Sequence, residues 1–321
     1  MTEKAQDAAI LTAQEREALP FRISLESANR AVGLIALGLP LALLVVSAIF
    51  GTICPDINSI SHYYYSPIGG DILVGALSVI GVLMLFFYKL PKAPRGGQIP
   101  VEGYKGHHPR DIWLARLAGL CAFGVALSPT GGTGCEDFAG STIRTFLTGT
   151  QGGELAELPE AMRVPDLAPD KQPAASGIAS FDLWPSLDVE HFLFGAIHYA
   201  SAAVMFAILA YYSLVVFTRN QKAGPEDAEP VRFTRKWWRN LIYRACGAVI
   251  IGCLVALAVQ FALLPEGLKT VWNAANGTFW VEALALFAFG ISWSVKGRIF
   301  AVLRDRGEPN PRRAAVQAAA A

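Results

Sequence analysis

Five histidines are spread over 321 residues, and the chemistry-bearing side chains that accompany them fall mostly at the ends of long apolar stretches. His62 lies in Ser59-Ile60-Ser61-His62-Tyr63-Tyr64-Tyr65, just ahead of an apolar stretch that Asp71 opens. His198 follows His191 by seven residues inside another such stretch, and Glu282 sits about one turn into the last one. Neutral imidazoles and carboxylates together are the donor set of zinc and other divalent-cation sites. A cation with an open coordination position activates water at neutral pH. Without a metal, the same groups can serve as general base and acid. His62, Asp71, His198 and Glu282 are therefore the candidate catalytic set and, equally, the candidate ligands of a divalent metal. Against this, His191 and His198 are two turns apart, about 10 Å along a helix, too far for one ion to take both from one helix. The bland alternative is that His198 and Glu282 hydrogen-bond across helices and close a bundle.

The elements that position these groups follow from composition. Hydrophobic residues make up 53% of the chain and charged residues 17%, whereas globular proteins average about a quarter charged. Five Cys are too few for a disulfide scaffold, and a net charge of +1 speaks against a nucleic-acid partner. A helix needs roughly 20 apolar residues to cross the hydrocarbon core. Six stretches fit, at Ala31–Gly51, Ile72–Tyr88, Ile112–Ser128, Phe192–Phe217, Leu241–Leu264 and Phe279–Val295. The sequence thus predicts an all-α polytopic membrane bundle of six transmembrane helices. Residues 1–30 form an N-terminal tail, 31–298 the membrane domain, and 299–321 a C-terminal tail. No internal repeat is evident.

Orientation is read from Lys and Arg, which gather on the cytoplasmic side. Of the 27, 21 fall in the N-terminal tail, the loops Lys89–Arg110 and Arg219–Arg239, and the stretch from Lys296 onward, and only four in the opposite loops. Both termini are therefore expected in the cytoplasm, and the His and carboxylate groups at the outer face. The N-terminal segment has the wrong pattern for a cleaved signal peptide, and a bacterial inner membrane is the default location. Tyr63, Tyr64, Tyr65, Trp272 and Trp280 would mark the outer interface, and Trp113, Trp237, Trp238 and Trp293 the inner one.

The longest connection, 129–190, is acidic and rich in Gly and Pro. A loop of this length is either a lid or a mobile connection. Cys54 and Cys135 both fall in outer loops, where a disulfide between them is permitted. Cys121, Cys246 and Cys253 lie inside spans and read as small packing residues.

Two resemblances bear on function. Pro55-Asp56-Ile57-Asn58-Ser59-Ile60-Ser61 and the Gly-bearing turn Gly69-Gly70-Asp71, set in six spans with both ends inside, resemble bacterial six-span families of unknown function, similar to the damage-regulated autophagy modulators of eukaryotes. Their loop reads Pro-x-Ile-Ser, and Asn58 stands here in place of the Ser. This resemblance implies a membrane-resident role near lipids. Ser61, His62 and Asp71 are also similar to the early Ser–His–Asp set of the ceramidase and adiponectin-receptor zinc hydrolases. Those have seven spans and a late H-x-x-x-H pair with no counterpart in this chain. Membrane lipids are the expected partners. The leading expectation is a protein that binds or organises lipid through its outer polar cluster. The alternative is a membrane-embedded hydrolase of outer-leaflet lipid, and transport is a third class.

Overall fold

Six long helices, each entering beside the end of its predecessor, form a closed ring in the computed structural model, which describes residues 25–50, 58–65, 67–88, 108–128, 191–219 and 234–304. They are α1 (Leu25–Phe50), α2 (Pro67–Val82), α3 (Pro109–Leu127), α4 (His191–Tyr211), α5 (Arg235–Ala262) and α7 (Gly277–Lys296); the short α6 (Glu266–Ala274) joins the last two. Each helix packs on its sequence neighbour, and α7 returns to pack on both α5 and α1. No strand occurs among the described residues. A wide single turn extends α2 over Leu83–Phe87 and α4 over Tyr212–Val216.

Five of the helices are long and apolar enough to cross a membrane: Leu25–Ile49, Ile68–Phe87, Gly195–Val216, Arg235–Ala262 and Gly277–Lys296. The chain is thus an integral membrane protein by the length and composition of these segments. The sixth predicted stretch is also helical, as α3, and it packs between α2 and α4. Helix ends move outward from the apolar stretches because local chemistry sets them. Pro67 supplies the fixed φ that suits a first helical residue and starts α2 five residues early. Thr234 accepts a bond from the Trp237 N–H and starts α5 six residues early.

In lipid, apolar burial does not drive helices together, so close backbone approach must. Gly33 of α1 and Gly290 of α7 face each other so tightly that a Cβ on Gly33 would lie 2.6 Å from the Ser294 nitrogen. Gly81 and Gly119 do the same for α2 and α3, where a Cβ on Gly119 would lie 2.9 Å from the Gly81 carbonyl oxygen. Where α4 and α7 meet near their ends the packing is aromatic, with the Trp293 ring edge-to-face at 4.6 Å from both Phe217 and Phe289.

One end of the ring carries most of the basic side chains and is knitted by bonds across the helices. Asp111 on the first turn of α3 is fully buried. It takes a 2.5 Å bond from Arg219 and a 3.1 Å bond from the Tyr211 hydroxyl. The Tyr212 hydroxyl donates to its carbonyl oxygen. Trp293 donates to the Tyr88 hydroxyl at 2.9 Å, and Tyr88 donates to Asn29. Arg30 reaches the Gly297 carbonyl and Arg239 the Leu303 carbonyl, so every long helix contributes to this basic end.

Candidate functional site

The opposite end, here called the mouth, is built around the segment 58–65. Ser59 turns the chain: its hydroxyl accepts the Ser61 N–H at 3.1 Å and its carbonyl accepts the His62 N–H at 3.2 Å. A serine in that role favours a turn over a continuing helix. The tight turn that follows, Ile60–Tyr65, places side chains three apart on one face. Ile60 and Tyr63 accordingly share a buried face, and Tyr64 beside them is buried as well. Tyr63 shares a 2.5 Å hydrogen bond with Ser47 of α1 and packs its ring 6.2 Å from that of Phe279. Tyr63 and Tyr64 therefore plug the bundle rather than mark its rim. Trp293, read from sequence as an interface ring, is likewise fully buried. Trp113, Trp280 and Trp238 are the exposed ones, at 67%, 55% and 44%.

The segment docks on the start of α7. The first N–H groups of a helix lack partners within it, and the Asn58 carbonyl accepts that of Phe279 at 2.8 Å. Asn276 caps this helix with a left-handed φ of 50°, a conformation that Asn tolerates better than most residues. Glu282, one turn further in, is half-buried. Its Oε2 accepts both the Ser59 hydroxyl and the Ile60 N–H at 2.7 Å. The carboxylate thus holds the turn from the helix side.

His198 holds the turn from the other side. It is 2% exposed on α4, and its Nδ1 lies 2.8 Å from the Ser128 carbonyl oxygen at the end of α3. A carbonyl only accepts, so Nδ1 carries the proton and Nε2 presents its lone pair. That Nε2 lies 2.9 Å from the Ser61 hydroxyl, which is the donor. Tyr199, beside it, stacks edge-on to the imidazole and is itself half exposed.

Of the residues singled out from sequence, His62, His198 and Glu282 thus all belong to this mouth, linked through the segment 58–62. His62 is held neutral: burial, and then the nearby His198, push its pKa down to about 4. Its buried Nδ1 finds no partner among the described residues, and the same is true of Asn58 Oδ1, Asn276 Oδ1 and Ser128 Oγ. Asp71 sits exposed on α2. Among the described residues no three His, Cys, Asp or Glu side chains are grouped as a metal ion would require. Cys54, Cys135 and the 129–190 loop lie outside the described residues. Cys121, Cys246 and Cys253 are buried free thiols.

Two things at the mouth escape the sequence reading. The hydroxyl of Ser61, and not His62, meets His198. The second is α6, an amphipathic helix whose Leu268 and Val271 are exposed while Glu266 and Lys269 form a 2.7 Å ion pair. The apolar spacing Leu268, Val271, Trp272, Ala275 was the available signal for it. No family model, curated protein or solved structure matches the chain.

Proposed function

We propose that this protein is a six-span resident of a bacterial inner membrane, with both termini cytoplasmic, that holds the polar headgroup of a lipid at its outward-facing mouth. The sixth span is α3: 19 helical residues are long enough, and it lies in the ring between two helices that qualify. An even number of crossings returns the chain to the side on which it entered, and the basic end faces the cytoplasm by its lysines and arginines. This architecture keeps the resemblance to the six-span families near the autophagy modulators in play.

The observation that carries the headgroup reading is the surplus of hydrogen-bonding atoms at the mouth. Asn58 Oδ1, His62 Nδ1 and Asn276 Oδ1 are buried without protein partners among the described residues. They flank the bonded Ser59–Glu282 and Ser61–His198 pairs. Buried polar atoms in folded proteins nearly always find partners, so this mouth suits a polar guest. Its rim is apolar, with Phe261, Leu263, Leu268, Val271 and Trp280 exposed. A helix such as α6, apolar on one face and charged on the other, lies at a membrane surface. Headgroup inside and acyl chains outside match that division.

The reading is tested by thermal unfolding of the detergent-purified protein with short-chain phospholipids that differ only in headgroup. One headgroup should raise the melting temperature by several degrees, and the shift should shrink in Asn276→Ala. Equal shifts from every headgroup, or none, would refute it. Tags on the two termini should be accessible only from the cytoplasm.

A further inference from the structure

Ser61 and His198 are arranged as a nucleophile and its base. The Ser128 carbonyl fixes the tautomer of His198 from one side at 2.8 Å. The free Nε2 lone pair then accepts the Ser61 hydroxyl from the other side at 2.9 Å. A serine, a histidine within hydrogen-bond reach and a third group orienting the histidine are the requirements for an activated hydroxyl. Here the third group is a backbone carbonyl rather than a carboxylate. Glu282 is a positioning residue: its carboxylate grips the Ser59 hydroxyl and the Ile60 N–H and also takes the Ser61 backbone N–H, which Ser59 Oγ accepts at 3.1 Å as well. The imidazole is almost fully buried, whereas Ser61 is half-buried, so the base is shielded and the nucleophile is reachable.

We propose that Ser61 and His198 form a catalytic dyad that hydrolyses an acyl ester of a membrane lipid, a proposal that rests on the headgroup reading of the mouth. Ser61 Oγ bonds to the ester carbonyl carbon while its proton passes to His198 Nε2, and the carbonyl π electrons move to the oxygen. The tetrahedral adduct collapses, the C–O bond to the alcohol breaks, and the alcohol leaves with the proton from Nε2. Water then attacks the acyl-serine, giving its proton to Nε2. The fatty acid departs and Ser61 regains its hydrogen. The acyl chain has an apolar path beside the dyad, where exposed Tyr199 of α4 packs 6.2 Å from exposed Phe261 of α5.

The experiment is covalent labelling of the full-length protein in lipid nanodiscs with a long-chain alkyl fluorophosphonate, read by intact-mass and peptide mass spectrometry. One adduct per chain on Ser61 is expected. The labelling rate should fall at least tenfold in His198→Gln. A folded protein that forms no adduct on Ser61 overturns the dyad, as does undiminished labelling in His198→Gln. Should His198→Gln not fold, Ser61→Cys replaces it: the thiol should be alkylated at least tenfold faster than free cysteine, and an equal rate overturns the dyad. The two proposals fail separately. Headgroup-specific stabilisation without labelling removes the dyad alone, whereas labelling without headgroup preference removes the headgroup reading alone.

Discussion

At the basic end, Asp111 is fully buried and takes bonds from Arg219 and Tyr211 on α4 and its extension, with Tyr212 on its backbone carbonyl. At the mouth, Glu282 is half-buried and takes bonds from an uncharged turn. Both carboxylates tie helices together, yet they sit in different economies of charge. Asp111 has a cation 2.5 Å away and serves as a fixed joint. Glu282 is held by the Ser59 hydroxyl and by backbone amides of the turn, and its neighbours include buried polar atoms without protein partners among the described residues. Polar groups that are mutually satisfied rigidify a structure, while those left over can bind something else. Asn240 Oδ1 and Ser294 Oγ near the basic end are also buried without partners among the described residues, so what sets the two ends apart is the charge pairing: an ion pair fixes Asp111, and neutral donors hold Glu282.

The sharpest way to break this comparison is to remove each carboxylate. Asp111→Ala should cost about 3–5 kcal/mol, because it strands a partly buried arginine. Glu282→Ala should cost only about 1–3 kcal/mol, the loss of hydrogen bonds to neutral donors. Chemical unfolding in a fixed detergent measures both, and equal losses would erase the distinction between the ends.

Acid should act on the mouth first. The pKa of His62 is depressed in the folded chain to about 4 from its ordinary 6.5, so folding favours the neutral ring. Its contribution is complete above about pH 6.5, fades as the pH falls toward 4, and changes no further below that. At about 1.36 kcal/mol per unit, the loss is up to about 3 kcal/mol. Unfolding curves at pH 7 and pH 4 should show it in the parent, and His62→Gln should remove that part of the loss. An unchanged pH dependence in His62→Gln would place the acid sensitivity elsewhere.

Widening the crossing of α1 and α7 should weaken the scaffold without touching the polar mouth. Gly290→Leu puts a side chain where Leu37 and the Gly33 carbonyl already stand. Overpacking of this kind costs about 1–3 kcal/mol. Headgroup-specific stabilisation should survive it. The smallest effect is expected for Ser47→Ala, which removes one bond to Tyr63 at about 1 kcal/mol. Its melting temperature should drop slightly while fluorophosphonate labelling of Ser61 persists.

Much of the scaffold was legible in one dimension. Apolar runs of bilayer length map onto five candidate spans and the helix α3, because in lipid the backbone must satisfy itself within each helix. The ends were less legible. Pro67 and Thr234 set where α2 and α5 begin through local bonding that hydropathy does not register. The burial of Tyr63, Tyr64 and Trp293 ran against the usual habit of interfacial rings, since that habit describes an average environment and not a particular packing. His62, His198 and Glu282 could be assigned to one end by counting helix turns. That count could not say which atom faces which.

The order of residues alone determined how long each apolar segment is and at which end of it each ionisable group stands, because rise per residue and water-to-hydrocarbon transfer act on the local chain. Only the packed bundle decided that His198 meets Ser61 and Ser128, and that Glu282 meets Ser59 and the Ile60 amide. Those partners are 70 to 223 residues apart in the chain. Their meeting depends on the rotation of each helix about its own axis, which close contacts such as Gly33 on Gly290 set and no local rule encodes.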